Sequence, residues 1–337
     1  MSSRLYFTPQ HHKGQAINPY CDNYINSLRD YYTLIGDTYR HLPRGVEFFI
    51  HSWKADVYIL NWIESISQLR GGFVQACFCV IALCVIRLRR KKIVWMFHNI
   101  HPLYGETISS RILRMLLFKW ASLIVSHSEE AAKYARRFAR GRVAFRVHPM
   151  MRVERDNWAG QLRDCDFFCW GTIKPYKGIA EFLTNPKCRE SQRKILILGK
   201  CDDEELRKCI ETNINSNIVF ENRSATFPEI AAQCKRAKYV LFPYVGEGVS
   251  SSGVLMDTLL MGGVPVGPNR GAFADLSTEG CCITYNAIDE VFNLPMDEEY
   301  RIKLDQEKVD HFIDVNSWAS FGKWLYGVLE NNVSFNA

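Results

Sequence analysis

Short apolar runs alternate with amphipathic segments along the whole chain. The apolar runs predict strands, and the amphipathic segments predict helices. The predicted strands are residues 5–7, 48–50, 57–60, 93–97, 123–126, 144–147, 167–170, 194–198, 218–220, 239–242, 264–266 and 282–285. The predicted helices include residues 20–35, 68–89, 109–121, 129–138, 179–183, 203–212, 228–235, 254–261 and 317–331. This alternation predicts an α/β fold with parallel sheets.

A polar stretch at residues 152–164 divides the predicted strands into two series and is interpreted as an interdomain linker. The 337 residues are enough for two domains of ordinary size. The chain is 47% hydrophobic and 23% charged, which is typical of a globular protein. The order of elements therefore predicts two doubly wound, Rossmann-like domains.

The net charge, the cysteines and the absence of several sequence motifs limit the kinds of partner and site that this protein can have. The net charge of +6 permits anionic partners such as membranes or phosphates and does not demand nucleic acid. Twelve cysteines without a Cys-x-x-Cys pair favour buried free thiols in a reducing compartment over a zinc site. The N-terminus has no signal-peptide hydrophobic region. No P-loop or G-x-S-x-G motif is present, and no G-x-G-x-x-G follows the first strand.

One apolar run, FVQACFCVIALCVI at residues 73–86, leads directly into the basic segment RLRRKK at residues 87–92. The run is shorter than the roughly 20 apolar residues that span a bilayer. Two interpretations remain open. The run is a buried helix with a solvated basic end, which is the commoner case, or it is a helix that dips into an anionic membrane face.

A glycine- and serine-rich loop in the second half lies between a predicted strand and a predicted helix, where α/β sheets bind ligands. The residues just before the helix are Ser250, Ser251, Ser252 and Gly253. Their N–H groups and the positive end of the helix dipole favour a phosphate there. Asp257 lies one turn further in and can accept hydrogen bonds from a ribose.

Two other strands of the second half are followed by candidate binding residues. Gly171 follows strand 167–170 and permits close backbone approach to a ligand, and Lys174 and Lys177 supply positive charge. These lysines fit either a solvated turn or a phosphate site, and the downstream loop favours phosphate. After strand 218–220, Thr226 is predicted to cap the helix that begins near Phe227.

In the first half, His98 follows the apolar strand 93–97, which places it at the ligand-binding edge of an α/β sheet. Histidine is the side chain best suited to proton transfer near neutral pH. A hydrogen-bonded core histidine is the alternative. The triplet Asp164-Cys165-Asp166 precedes its strand and is assigned to the linker instead of a metal site.

The loop that contains Asp257 resembles the donor-binding motif of GT-B glycosyltransferases, particularly family 4-like enzymes of the bacterial capsule, exopolysaccharide and O-antigen type. Asp257 matches the family's second acid, which holds the ribose. Val249 occupies the position of the first acid, so Glu247, two residues earlier, is the candidate to reach the donor sugar. Lys177 matches the lysine that binds the diphosphate, and Lys174 is the candidate to replace the family's arginine.

Further segments carry the same resemblance. By this resemblance, the loop that ends at Phe227 contacts the nucleotide base. His98, Asn99 and Pro102 match the family's H-N-x-x-P-H-E segment, whose second histidine is Leu103 here. Segment 57–64 resembles one that ends H-W-x-E. It keeps Trp62 and Glu64 and replaces the histidine with Asn61, and Glu64 is either a base toward the acceptor or a pairing residue. Asn18-Pro19-Tyr20 also resembles that subgroup and is expected to face the acceptor.

The resemblance implies two domains that face a cleft: an acceptor-binding domain at 1–155 and a donor-binding domain at 165–315. A C-terminal helix at 316–337 is expected to pack on the first domain. The implied enzyme is a hexosyltransferase that moves a sugar from a UDP- or GDP-linked donor to a hydroxyl of a lipid-linked glycan, without a metal ion or cofactor.

The expected partners are the nucleotide-sugar donor, a glycan or lipid-linked oligosaccharide acceptor and an anionic membrane surface, with no nucleic acid. The expected location is the cytoplasm, peripheral on the inner face of the cell membrane. Two alternatives stay open: a nucleotide-sugar 2-epimerase of the same fold, and a non-catalytic, membrane-bound protein that binds nucleotide sugars.

Overall fold

The computed structural model describes residues 3–9, 19–36, 42–101, 105–151, 163–246 and 252–330. Its strands are β1 Arg4–Thr8, β2 Thr33–Ile35, β3 Val57–Asn61, β4 Lys92–Phe97, β5 Leu123–Ser126, β6 Arg142–Phe145, β7 Cys165–Trp170, β8 Ile195–Leu198, β9 Ile218–Glu221, β10 Ala237–Leu241, β11 Pro265–Pro268 and β12 Ile283–Tyr285. Its helices are α1 Pro19–Leu28, α2 Arg44–His51, α3 Gly72–Leu88, α4 Ile108–Trp120, α5 Glu129–Arg136, α6 Ile179–Thr184, α7 Pro186–Glu190, α8 Glu204–Thr212, α9 Phe227–Arg236, α10 Gly253–Leu260, α11 Gly271–Thr278, α12 Gln306–Val315 and α13 Trp318–Glu330. Short 3-10 helices lie at Ile63–Gln68, Pro175–Lys177 and Ile288–Asn293.

The chain divides into two units. The first comprises Met1–Pro149 together with Ser317–Ala337, and the second comprises Met150–Asn316. Residues 152–162, most of the predicted linker, lie outside the described residues.

The first unit contains a six-stranded sheet in the order β2-β1-β3-β4-β5-β6. Its described strand pairs are all parallel, with Ile59 of β3 opposite Val94 of β4. Successive side chains of a strand point to opposite faces of a sheet. Trp95 therefore lies in the core beneath α3 and α4, whereas Val94 and Met96 lie in the core beneath α1 and α13. Parallel pairing brings the carboxyl ends of these strands to one edge.

The last helix, α13, belongs to the core of this first unit. Trp318, Phe321 and Leu325 are buried with residues of β1, β3 and β4. The helix approaches α1 closely at Gly322, where an added Cβ would overlap the carbonyl oxygen of Ser27. Glycine is therefore required here for helix packing.

The second unit contains a six-stranded parallel sheet in the order β12-β11-β10-β7-β8-β9. Two ion pairs lie at the start of β7, where Asp164 contacts Arg236 at 2.6 Å and Asp166 contacts Lys238 at 2.8 Å. Cys165 and Asp166 thus belong to β7, contrary to the assignment of the triplet to the linker, and Asp164 directly precedes the strand. Two parallel sheets with flanking helices confirm the predicted α/β class.

Two predicted elements of the first unit are wrong. Residues 48–50 were expected to form a strand, but they lie in α2, where Phe48 is buried against Tyr58 and Tyr6. The helix predicted at 20–35 ends at Leu28, and Thr33–Ile35 pairs with β1 as an edge strand. The first error concerns three residues, and the second concerns residues 29–35, of which three form the strand. Runs of three residues are too short for periodicity to distinguish a helix from a strand.

All twelve cysteines lie within the described residues and are free thiols. Most are buried, as expected, but Cys77 is exposed because it lies on the face of α3 that points away from the sheet. Among the helices of the described residues, none is long and apolar enough to cross a bilayer.

The two glycines of α13 provide a matched test of its packing. Gly322→Ala should lower the free energy of unfolding by about 1–3 kcal/mol, since the new methyl group overlaps the backbone of α1. Gly327→Ala has open space around its new Cβ and should be neutral or stabilising by about 0.5–1 kcal/mol. Urea unfolding of both variants measures these changes in the free energy of unfolding. A Gly322→Ala protein as stable as Gly327→Ala would contradict this packing.

Candidate functional site

The carboxyl edge of the second sheet brings together three segments that are distant in sequence. Gly171 follows β7 in the left-handed region, with φ of 93°. A Cβ added to it would lie 3.1 Å from the Nζ of Lys177 and 3.3 Å from a methyl group of Val254, in the first turn of α10. The structure therefore places Gly171, Lys177 and the N-terminus of α10 in contact, although more than 70 residues separate the last from the others.

Lys177 is the unusual residue of this group, because its side chain is buried with only 6% of the residue exposed. Its Nζ lies 5.5 Å from the centre of the Tyr244 ring. No carboxylate of the described residues forms an ion pair with this ammonium group. Burial lowers the pKa of Lys177, because the charged form loses solvation. A buried cation without an anionic partner is a ready site for an anionic ligand.

The N-terminus of α10 is held in place by two hydrogen-bonded contacts. Ser252 caps the helix, and its hydroxyl accepts a hydrogen bond from the N–H of Leu255. The indole N–H of Trp170, the last residue of β7, donates to the hydroxyl of Thr258 at 2.9 Å. Strand and helix are thereby joined next to Gly171, and the first N–H groups of α10, beginning at Gly253, supply positive potential beside Lys177.

The loop that carries Lys177 is packed tightly against the end of β10. Gly178 has φ of 66°, and an added Cβ would overlap the carbonyl oxygen of Pro243. The N–H of Val245 donates to the carbonyl oxygen of Tyr176 at 2.9 Å. A side chain at position 178 would separate the two loops, so glycine is required for the position of Lys177.

Asp257 lies in the second turn of α10 and is partly exposed. Burial raises the pKa of its carboxyl group from 3.8 to about 7. Among the described residues no cation pairs with this carboxyl group. Such a group gains from hydroxyl donors, since hydrogen bonds to the ionised form offset the loss of solvation.

The remaining residues predicted to bind the sugar donor are Lys174, Phe227, Glu247, Ser250 and Ser251. Lys174 is half-buried before the short helix Pro175–Lys177, and its charge acts on the thiol of Cys201 after β8. Phe227 is exposed at the start of α9. The predicted cap at Thr226 is confirmed, since its hydroxyl accepts from the N–H of Glu229. Glu247, Ser250 and Ser251 lie outside the described residues.

The carboxyl edge of the first sheet carries a cluster of aromatic rings, most of them the residues that follow a strand. The histidine–aromatic cluster consists of Tyr20, Trp62, His98, His127, His148 and Trp318. Tyr20 lies at its centre, with the other ring centroids 5.2–5.9 Å away. Sequence reasoning identified His98 and missed His127 and His148, although these two also follow strands and carried the same signal.

His98 is fixed by a chain of hydrogen bonds. The carbonyl oxygen of Asn61 accepts from its Nε2–H at 2.9 Å, and the amide of Asn61 donates to the backbone oxygen of Thr8 at 3.1 Å. The neutral ring therefore carries its lone pair on Nδ1. Trp62 stacks on the imidazole with a centroid distance of 4.4 Å and has φ of 52°, a strained conformation of the kind found at functional sites.

The three histidine rings are neutral. Burial, followed by the effect of neighbouring histidines, lowers the pKa of His127 to about 3 and that of His98 well below 6.5, and burial lowers that of His148 to about 4. His127 donates through Nδ1 to the backbone oxygen of Arg146, so its Nε2 accepts from the hydroxyl of Tyr20. Neutral imidazoles can hydrogen-bond sugar hydroxyls or accept a proton.

Glu64 does not join this cluster. Its carboxylate is buried and accepts a hydrogen bond from the indole N–H of Trp95 at 3.2 Å, beneath the other face of the sheet. Burial raises its pKa, although the Trp95 hydrogen bond and the charge of Arg114 act in the opposite direction. In the part of the chain that the structure describes, no group of three His, Cys, Asp or Glu residues could hold a metal ion.

No protein-family model and no curated protein sequence matches this chain. Solved structures match its fold. HepE of Anabaena in complex with UDP and glucose aligns with a TM-score of 0.69 and 13% identity, over 98% of this chain and 100% of HepE. AviGT4, a glycosyltransferase involved in avilamycin A biosynthesis, aligns with a TM-score of 0.58 and 12% identity, over 98% and 99%.

The α,α-trehalose 6-phosphate synthase of Burkholderia multivorans aligns with a TM-score of 0.61 and 11% identity, over 98% of this chain and 97% of that protein. At these identities the similarity is one of fold. The chain has the fold of GT-B glycosyltransferases, which confirms the predicted fold class.

Replacing Asp257 should stabilise the protein. Its folded-state pKa of about 7 exceeds the unfolded value near 3.8. Ionisation of Asp257 therefore lowers the free energy of unfolding progressively from about pH 4 to pH 7, and the loss stays constant above about pH 7. Asp257→Asn should therefore gain on the order of 1–2 kcal/mol at pH 8 and little at pH 4. Thermal unfolding against pH measures this. A variant less stable than the parent at pH 8 would show that the carboxylate makes a stabilising contact.

The histidine cluster should stay neutral under mild acid. The folded-state pKa values of about 3 for His127 and 4 for His148 lie below 6.5, so the unfolded state takes up more protons and stability falls as pH drops from about 6.5 toward 4. Nitrogen-detected NMR at pH 5 should show neutral rings in the native protein and protonated rings in urea. Protonated native rings at pH 5 would refute the assignment.

Proposed function

We propose that this protein is a glycosyltransferase that uses a UDP-linked sugar as donor. The observation that carries the proposal is the buried ammonium group of Lys177, which has no carboxylate partner among the described residues and adjoins Gly171 and the N-terminus of α10. A diphosphate supplies the missing negative charge. The HepE structures contain UDP, UDP with glucose, or UDP-glucose, which supports UDP over GDP as the nucleotide.

The donor half of the reaction takes place at the second unit. As the bond between the sugar C1 and the diphosphate oxygen breaks, negative charge develops on the leaving UDP. Lys177 and the first N–H groups of α10 stabilise that charge without reorganisation, an effect for which one donor is typically worth about 10²–10³ in rate. Lys174 adds charge at the edge of the site, and no metal ion or cofactor is required.

The remaining donor contacts position the nucleotide. Asp257 accepts hydrogen bonds from the ribose, and Gly171 lets the backbone approach the phosphates because a side chain there would contact Lys177 and Val254. Phe227 borders the base. Glu247 contacts the hydroxyls of the donor sugar, and Ser250 and Ser251 complete the phosphate-binding loop before Ser252.

The acceptor half is assigned to the histidine–aromatic cluster. The acceptor hydroxyl attacks the sugar C1, and the neutral imidazole of His98, oriented by Asn61, takes the hydroxyl proton. The rings of Tyr20 and Trp62 provide apolar surface for a sugar face. Glu64 is assigned the role of a pairing residue, which accepts a hydrogen bond from Trp95, because it lies beneath the opposite face of the sheet.

We further propose a hexose donor and a lipid-linked glycan acceptor, as in bacterial surface polysaccharide synthesis, with the enzyme cytoplasmic and peripheral on the membrane. AviGT4 is described as a glycosyltransferase and the Burkholderia protein as a synthase, which favours a transferase over the 2-epimerase and the non-catalytic binding protein.

Substituting Lys177 tests the donor site. Lys177→Met should abolish the increase in melting temperature that UDP gives the parent protein, because the diphosphate loses its buried cation. The melting temperature without nucleotide should stay equal or rise, since an unpaired buried charge is removed. The measurement is a thermal-shift titration with UDP, GDP, ADP and CMP.

The matched control is Lys187→Met, an exposed lysine of the same unit that pairs with Asp289 at 3.5 Å. It should respond to UDP like the parent. If Lys177→Met keeps the full response to UDP, the diphosphate is not bound at this site. If the parent responds to none of the nucleotides, the transferase proposal loses its donor and fails.

A further inference from the structure

Helix α3 leaves a long apolar stripe in solvent. Phe73 is 73% exposed, Val74 57%, Ile81 47% and Leu88 82%. The opposite face of the helix is buried against the sheet by residues such as Leu83. A helix that is apolar on both faces needs a second apolar environment besides its own core.

Helix α4 continues this apolar surface. Its residues Ile108, Ile112 and Met115 are 79%, 41% and 59% exposed and follow a spacing of four and three, which aligns them on one stripe. The starts of the two helices are linked through Ser67 of the 3-10 helix Ile63–Gln68. Its backbone packs against Gly72 at the start of α3, and its hydroxyl hydrogen-bonds at 2.8 Å with that of Thr107, the N-cap of α4. The two stripes thus begin side by side and form one surface, the α3–α4 face.

A cationic cavity adjoins this face between α4 and α5. It has a volume of about 460 Å³, and its cationic residues are Arg111, Arg114, Lys119 and Arg140. Arg111 pairs with Glu106 at 2.7 Å, and Arg114 donates to the backbone oxygens of Asn99 and Ile100. Within the described residues, Lys119 and Arg140 have no ion-pair partner, so the cavity keeps uncompensated positive charge.

The apolar and cationic parts lie against each other at Met115, which is exposed on the stripe and also lines the cavity. Phe118 and Phe138 form apolar walls of the same cavity. An acidic phospholipid has the complementary arrangement, with a phosphate next to acyl chains. A soluble anion would satisfy the cavity and leave the stripes in water, whereas an apolar protein partner would leave the cations unpaired.

We propose that the α3–α4 face docks on an anionic membrane and that the cavity binds the phosphate of an acidic lipid headgroup. The apolar stripes enter the interfacial layer parallel to the membrane plane, and Lys119 and Arg140 contact the phosphate. The inference deepens the proposed function, on which it rests for its purpose, because a lipid-linked acceptor requires the enzyme at the membrane surface.

The test is flotation of the full-length protein with vesicles of phosphatidylcholine alone or with about one third phosphatidylglycerol. The parent should bind the anionic vesicles, and Lys119→Glu with Arg140→Glu should weaken binding at least about tenfold. Phe73→Ser with Ile108→Ser should abolish the binding that resists high salt. Matched controls in the second unit, Lys187→Glu with Lys303→Glu and Tyr300→Ser with Val315→Ser, should bind like the parent.

Several outcomes would overturn the proposal. The parent protein could fail to bind anionic vesicles, or it could bind neutral vesicles equally well. The control variants could also lose as much vesicle binding as the variants of the α3–α4 face. Stabilisation by glycerol phosphate without vesicle binding would identify a site for a free phosphate. A dimer that Phe73→Ser with Ile108→Ser dissociates would identify a protein interface. The shift in melting temperature that UDP gives the same variants separates the two proposals. Vesicle binding without a response to UDP would support membrane docking and contradict the proposed transferase function.

Discussion

Parallel strand pairing is the constraint on which both candidate half-sites depend. In each sheet of the described chain, neighbouring strands run in the same direction, so the loops after them meet at one edge. That edge brings Gly171 and Lys177 to the start of α10 in the second unit. In the first unit it brings His98 and His127 together around Tyr20.

The ionisable side chains near these edges are buried, so their charged forms are poorly solvated. Burial lowers the pKa of Lys177, raises that of Asp257 to about 7 and keeps the rings of the histidine–aromatic cluster neutral. Burial of such groups lowers the stability of the fold. A similar imbalance occurs on the surface, where the α3–α4 face exposes apolar side chains beside Lys119 and Arg140, which form no ion pair within the described residues.

Much of the candidate site was accessible from sequence because position after a strand is a strong signal. Gly171, Lys177 and Ser252 were identified in this way, and the structure places them together. Glu64 was predicted from the resemblance of segment 57–64 instead. Trp62 of that segment joins the cluster, whereas the carboxylate of Glu64 accepts a hydrogen bond from Trp95 beneath the other face of the sheet. His127 and His148 also follow strands and carried the same signal, but no motif of the resemblance included them. Their roles depend on ring packing across four strands, which local sequence does not encode.

The sequence by itself determined the alternation of strands and helices, the division into two α/β halves and the cap at Thr226, because periodicity and capping act over a few residues. Tertiary structure alone decided that residues 48–50 are helical and that Thr33–Ile35 pairs with β1. It also decided which face of α3 is exposed and which ionisable groups lose solvent. These properties depend on contacts between residues far apart in the chain, and burial, which sets both pKa and exposure, is determined by those contacts.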